Sequence, residues 1–91
     1  MFYNYILLSL KNGELYTGFT GDLKKRLQEH NQGLNFSTKR YVPWKVIYYE
    51  ACLDKDDAIR REKYLKKTQG IRLVKRRLKE YFYKSRKNLT N

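Results

Sequence analysis

The chain has 91 residues, one cysteine and one proline, and its 21 Lys and Arg against 9 Asp and Glu give a formal net charge of +12. That length suits one modest core, so a single monomeric domain is expected over residues 1–83, with a basic, flexible tail at 84–91. A lone Cys52 excludes an internal disulfide and its spacing excludes a zinc finger; no run approaches the roughly 20 apolar residues of a membrane span. A cytoplasmic setting with no membrane partner and no small-molecule cofactor is expected. The positive field calls for a polyanion, and nine tyrosines offer stacking surface, which makes nucleic acid the leading partner.

Phe2 to Leu8 is rich in aromatic and branched residues and predicts a strand; Lys11-Asn12-Gly13 supplies a turn, and Leu15 to Gly18 returns as the second strand. By the period of two, Tyr3, Tyr5 and Leu7 share a face, and Tyr16 returns beside the middle of the first strand. Thr20 or Asp22 caps a helix expected over about 20–32, closed by Gly33. Residues 33–43, GLNFSTKRYVP, have no period and read as a surface loop; its Lys39 and Arg40 are candidates for backbone phosphate, as are Lys24 and Lys25 on the helix before it. Trp44 to Cys52 predicts the third strand. A helix over about 54–68 starts at the acidic DKDD and stops at Gly70, and another over about 71–83 stacks Ile71, Val74, Leu78 and Phe82. The fold class is therefore α/β in the broad sense, of α+β type: a small, mainly antiparallel three-stranded sheet flanked by three helices.

Helical geometry turns each successive side chain by about 100°. With Leu23 as reference, His30 lies about 20° and Arg26 about 60° to one side, so both border the buried face while Lys24 and Lys25 point away. An ordinary basic amphipathic helix would show the same pattern. In the next helix Glu62 lies about 40° from Ala58, inside the apolar sector. A carboxylate there needs an ion pair, hydrogen bonds or a cation, because an unpaired buried charge is costly.

These residues together resemble a known family. Tyr5 in Tyr3-Asn4-Tyr5 matches the first signature tyrosine of the GIY-YIG nuclease superfamily, and Tyr16-Thr17-Gly18 matches its second signature. Arg26 falls at the helical arginine, His30 at the following His or Tyr position, Glu62 at the metal-binding glutamate, and PWKVIYYE is similar to the central strand of the small single-domain bacterial UPF0213 or YhbQ type. Five positions in the right order make the resemblance specific. Tyr3 and Asn4 replace a Gly and an Ile, and no separate DNA-binding domain accompanies the signatures.

The resemblance implies a metal-dependent endonuclease acting on DNA, branched or damaged DNA included, with little sequence specificity.

 The implied cofactor is one divalent ion, Mg²⁺ or Mn²⁺, held by Glu62 with most of its other positions left to water and phosphate oxygen. Arg26 would offer its planar fork to the scissile phosphate, and Tyr16 would take a proton from the attacking water with Tyr5 and His30 positioning or sharing it. A competing class is a nucleic-acid-binding module of the same fold with little or no catalysis, which charge alone does not separate from a nuclease.

Overall fold

The computed structural model describes the backbone of residues 1–90 and the side chains of residues 1–86. Three strands form one antiparallel sheet: β1 (Phe2–Ser9), β2 (Leu15–Thr20) and β3 (Trp44–Cys52), in the order β2-β1-β3. The first strand is therefore central, and its run Asn4 to Leu7 is buried throughout. Its turn into β2 is closed by Ser9, whose hydroxyl accepts from the Lys11 and Asn12 amides, and by Gly13 at φ 77°. A positive φ at that point favours glycine because it has no Cβ to clash.

The alternation of side chains across β1 gives the sheet two apolar faces. On one face Tyr5, Leu7 and Trp44 pack with Tyr16, Val46 and the half-buried Leu23 and Leu27 of α1 (Leu23–Asn31). On the other, Ile6 packs with Leu65 of α2 (Lys55–Leu65) and Val74 of α3 (Thr68–Arg77). A last helix, α4, covers Lys79–Thr90. The sheet is thus sandwiched, with two thin cores in place of one.

Capping follows the sequence closely in the first half. Asp22 is the N-cap of α1 and accepts from the Lys25 amide at 3.1 Å, while Gly33 follows the helix at φ 76°. Asn31 at the helix end grips β3, donating to the Trp44 carbonyl at 3.0 Å and accepting from its amide at 2.6 Å. Asp54 caps α2 through the Asp56 and Asp57 amides, and those two acids sit in the first turn, where the helix dipole favours them.

The C-terminal half departs from expectation. α2 ends at Leu65, three residues short, and Gly70 lies inside α3 instead of stopping a helix. Gly70 is buried, and a Cβ on it would overlap the Tyr64 carbonyl and the Leu65 backbone, so its role is close approach of α3 to the end of α2. The helix expected over 71–83 breaks at Leu78, giving four helices where three are predicted. Val74 of the predicted stripe is buried, but Ile71 is 37% exposed at its rim. The segment read as a flexible tail from 84 continues α4 as far as Thr90, and Asn91 lies outside the described residues. Among the described residues no helix is long and apolar enough to cross a membrane.

Gly70→Ala is expected to destabilise the fold by about 1–3 kcal/mol, since the extra methyl meets backbone and not a flexible side chain. Gly21→Ala, which meets nothing within 4 Å, is the control and should stay within about 0.5 kcal/mol of the parent in a denaturant titration. Equal midpoints for the two variants would remove the close-approach role.

Candidate active site

Tyr5 stands on the central strand directly across from Gly18 of β2, an edge strand. Its ring lies over that glycine so closely that a Cβ there would overlap the phenol carbon and oxygen. Gly18 thus lets the Tyr5 hydroxyl reach across the sheet, and any larger residue would displace it. Two residues away, Tyr16 pairs with Leu7, which puts both tyrosines on the α1 face.

α1 delivers His30 into the space between them. The His30 ring is fully buried, with Tyr5 edge-on at 5.8 Å and Tyr16 edge-on at 5.2 Å between ring centres. Its Nε2 shares a hydrogen bond with the Tyr5 hydroxyl at 2.8 Å, and its Nδ1 shares one with Thr38 Oγ1 at 2.7 Å. Burial, reinforced by the nearby Arg26 charge, pushes the His30 pKa down to about 4, so the ring is neutral at neutral pH. Burial pushes the Tyr5 hydroxyl up to about 12, against the opposing pull of Arg26. Tyr5 therefore holds its proton firmly.

Arg26, one turn before His30, lies against the Tyr5 hydroxyl and pairs with Glu29 at 3.2 Å, both side chains being 32% exposed. Burial alone would lower its pKa, but the Tyr5 and Glu29 oxygens outweigh burial and raise it. The guanidinium is permanently charged and still partly open to a further oxygen ligand. Glu62 approaches the same group from α2, on the opposite face of the sheet, and its charge is felt at the Tyr5 hydroxyl. It is less inward than its helical angle implies: the carboxylate is 22% exposed and makes a 3.4 Å ion pair with Lys66. Among the described residues no three His, Cys, Asp or Glu side chains gather around a common point. A cation here would have Glu62 as its protein ligand and draw the rest from water and substrate, a hard-oxygen set that fits Mg²⁺ or Mn²⁺ and not a closed zinc site.

The structure thus brings Tyr5, Tyr16, Arg26 and His30 into one cluster, with Glu62 across the edge. The four candidate phosphate contacts are all exposed: Lys24 and Lys25 on the outer side of α1, and Lys39 and Arg40 in a single 3-10 turn, Lys39–Tyr41. Three participants escaped the sequence. Thr38 is fully buried inside a loop that lacks any periodic signal, and its carbonyl accepts from the Trp44 indole at 2.9 Å. Glu50 and Arg61 form a two-pronged ion pair at 2.8 and 2.9 Å, which holds the Glu50 carboxyl below the usual carboxylate range. That pair lies on the α2 side of the sheet and fixes the helix that carries Glu62.

Comparison with known proteins identifies the family of the chain. The sequence pattern of the GIY-YIG catalytic domain matches residues 1–73. The chain belongs to the GIY-YIG family. It is 37% identical to a UPF0213 protein of Clostridium perfringens over 94% of this chain and 99% of that one. A UPF0213 protein of Streptococcus agalactiae is 40% identical over 79% of this chain and 83% of its own length, and one of Streptococcus pyogenes is 42% identical over 71% of each. No solved structure matches the chain. The GIY-YIG family is a nuclease family, and the three-stranded antiparallel sheet with flanking helices is the architecture expected for it.

His30 generates a pH prediction. Its folded pKa of about 4 lies below the ordinary 6.5, so as pH falls below about 6.5 the unfolded chain takes up a proton that the folded one refuses. Stability is complete above that pH and is lost progressively down to about 4, by up to about 3 kcal/mol. Melting curves between pH 7 and about 5, above the range where carboxylates titrate, should show a falling midpoint in the parent and a flatter one in His30→Gln. Parallel slopes in the two proteins would mean that His30 is not held neutral.

Proposed function

We propose that this GIY-YIG protein is a divalent-metal-dependent endonuclease that hydrolyses DNA phosphodiester bonds with little sequence preference. The observation that carries the reading is the convergence of Tyr5, Tyr16, Arg26 and His30 on the β2 edge, with the half-buried carboxylate of Glu62 acting on the same hydroxyl from the opposite face. Packing alone gives no reason for these groups to meet.

Arg26 binds the scissile phosphate. Its charge is permanent, its fork matches two phosphate oxygens, and Glu29 holds it in place without covering it. Tyr16 is the less buried of the two phenols; its oxygen takes the proton of the attacking water while its own hydroxyl proton passes to solvent, and the P–O bond to the leaving oxygen breaks as the new one forms. Tyr5, whose proton is held firmly by burial, serves as a hydrogen-bond donor to an oxygen that gains negative charge. His30 stays neutral and fixes Tyr5. A divalent ion on Glu62, when bound, supplies positive charge to the phosphate and its leaving oxygen. The exposed Lys24, Lys25, Lys39 and Arg40 hold flanking phosphates and carry no base preference.

The Glu62–Lys66 pair favours a second reading, a DNA-binding domain in which Glu62 is occupied by its neighbour and catalysis is weak. Glu62→Gln separates the two. The pair is long, spaced i,i+4 and exposed on its Lys66 side, worth about 0.5 kcal/mol or less, so the variant should melt near the parent. DNA affinity should hold or rise slightly while Mg²⁺-dependent cleavage disappears. Unchanged cleavage by a folded Glu62→Gln protein would refute the metal role, and a parent protein that binds DNA without Mg²⁺-dependent cleavage would favour the binding domain.

Tyr16→Phe keeps the ring against His30 and Trp44 but removes the hydroxyl; cleavage should drop by about 100-fold or more with DNA binding intact. Arg26→Lys keeps the charge and loses the fork, and should be nearly as damaging. Single-turnover rates at saturating protein measure both, and a Tyr16→Phe rate within twofold of the parent would move the proton acceptor elsewhere.

A further inference from the structure

The hydroxyl of Thr38 meets His30 Nδ1 at 2.7 Å, and the other ring nitrogen meets the Tyr5 hydroxyl at 2.8 Å. Thr38 and His30 are fully buried and Tyr5 is 1% exposed, and the three carry three polar protons for two hydrogen bonds, so one proton is left over in any order. A neutral imidazole has one N–H and one bare nitrogen, which leaves two ways to order the protons.

In the first, Nδ1–H donates to Thr38 and Tyr5 donates to Nε2. The Thr38 hydroxyl proton is then stranded, because among the described residues Nδ1 is the one hydrogen-bond partner of Thr38 Oγ1. The Tyr5 proton is also turned inward. In the second, Thr38 donates to Nδ1 and Nε2–H donates to the Tyr5 oxygen. Thr38 and His30 are then both satisfied, and the proton left over is that of Tyr5, which lies beside the partly exposed Arg26 guanidinium at the edge of β2. Each order leaves one donor over, at a cost. The first strands it on Thr38, fully enclosed, and the second leaves it on Tyr5 beside the 32% exposed Arg26, where an anion drawn by that charge can accept it, which selects the second order.

Thr38 is held where it can do this. Its carbonyl accepts from the Trp44 indole at 2.9 Å and from the Tyr41 amide at 3.1 Å, and its own amide donates to Asn35 at 3.2 Å. Its branched side chain has little rotamer freedom once the backbone is fixed. Trp44 is clamped in turn by Asn31, two hydrogen bonds away on the same helix that carries His30.

We propose that Thr38 is a positioning residue: its hydroxyl locks His30 as the Nε2–H tautomer, and His30 thereby turns the Tyr5 hydroxyl proton toward the substrate. Resting on the nuclease reading, this makes Tyr5 a hydrogen-bond donor to a phosphate oxygen as negative charge builds there; no bond is made or broken at Tyr5. The loop from 33 to 43 then has a second task besides carrying Lys39 and Arg40. It sets the proton order of the cluster.

His30 is the single histidine of the chain, so its ring nitrogens give unambiguous signals in a long-range proton–nitrogen NMR spectrum. At pH 7 the parent should show a protonated Nε2 and a bare Nδ1. The opposite pattern would overturn the proposal outright, whether or not the protein cleaves DNA. Thr38→Val keeps the shape and removes the donor; a mixed or reversed tautomer signal is expected, with kcat down about tenfold and KM for DNA unchanged. Thr38→Ser restores the hydroxyl and should restore both the tautomer and most of the rate. A serine variant as impaired as the valine one would assign Thr38 to packing alone, and a fully active Thr38→Val would also overturn the proposal. A parent protein that cleaves no DNA would remove the nuclease reading and leave the tautomer to decide the proton order by itself.

Discussion

The hydrogen bond between Tyr5 and His30 joins the central strand to α1 through the middle of one core, and it constrains everything around it. Both side chains are cut off from water, so each polar atom must find a partner inside the protein. Tyr5 must cross the neighbouring strand, which requires Gly18 beneath its ring. His30 needs a second partner, which requires Thr38 and so a loop folded back under α1. Trp44 pins that loop through the Thr38 carbonyl, and Asn31 pins Trp44 through both backbone atoms. Six residues from five separate segments are thus tied to one buried contact.

Charge is distributed by a different rule. The acids are mostly committed: Asp22 and Asp54 cap helices, Glu50 holds Arg61 with two prongs, and Glu29 holds Arg26. Among the described residues four ion pairs form, against 21 Lys and Arg in the chain, so most of the positive field is left for an outside anion. Glu62 differs from the other acids. Its pair with Lys66 is long and its carboxylate is partly enclosed, which makes it the acid most readily transferred to a stronger cation.

Local pattern was enough for the sheet and for α1. Trp44 to Cys52 was legible to the residue because an apolar, branched run between a proline and an acidic cap has one good reading. The period of 3.6 placed His30 inside and Lys24 and Lys25 outside, as observed, and put Arg26 on the border. Gly70 was misread because a glycine that stops a helix and one that admits a neighbouring backbone look alike in sequence; only the packing of α3 on α2 separates them. Thr38 was invisible for a related reason. A residue buried by tertiary contact inside an aperiodic loop leaves no repeating signal, and its partner His30 lies eight residues away across a turn.

The location of the cluster argues for a polymeric substrate. A hollow of about 930 Å³ lies between the β1–β2 turn and the last two helices, lined by Leu15, Ile71, Lys75 and Phe82 among others, and contains none of the five candidate residues. Tyr5 and Arg26 instead meet at the margin of an edge strand, where a small molecule would bury little of its surface. A nucleic-acid strand does not need a pocket. Its neighbouring phosphates can be held by exposed bases on α1 and the following loop, and its own backbone then covers the edge and excludes water from the reacting group. An open site surrounded by uncommitted lysines and arginines is therefore what a phosphodiester in a long polyanion requires, with the buried hydrogen bonds behind it keeping Tyr5 and His30 fixed while the substrate closes the front.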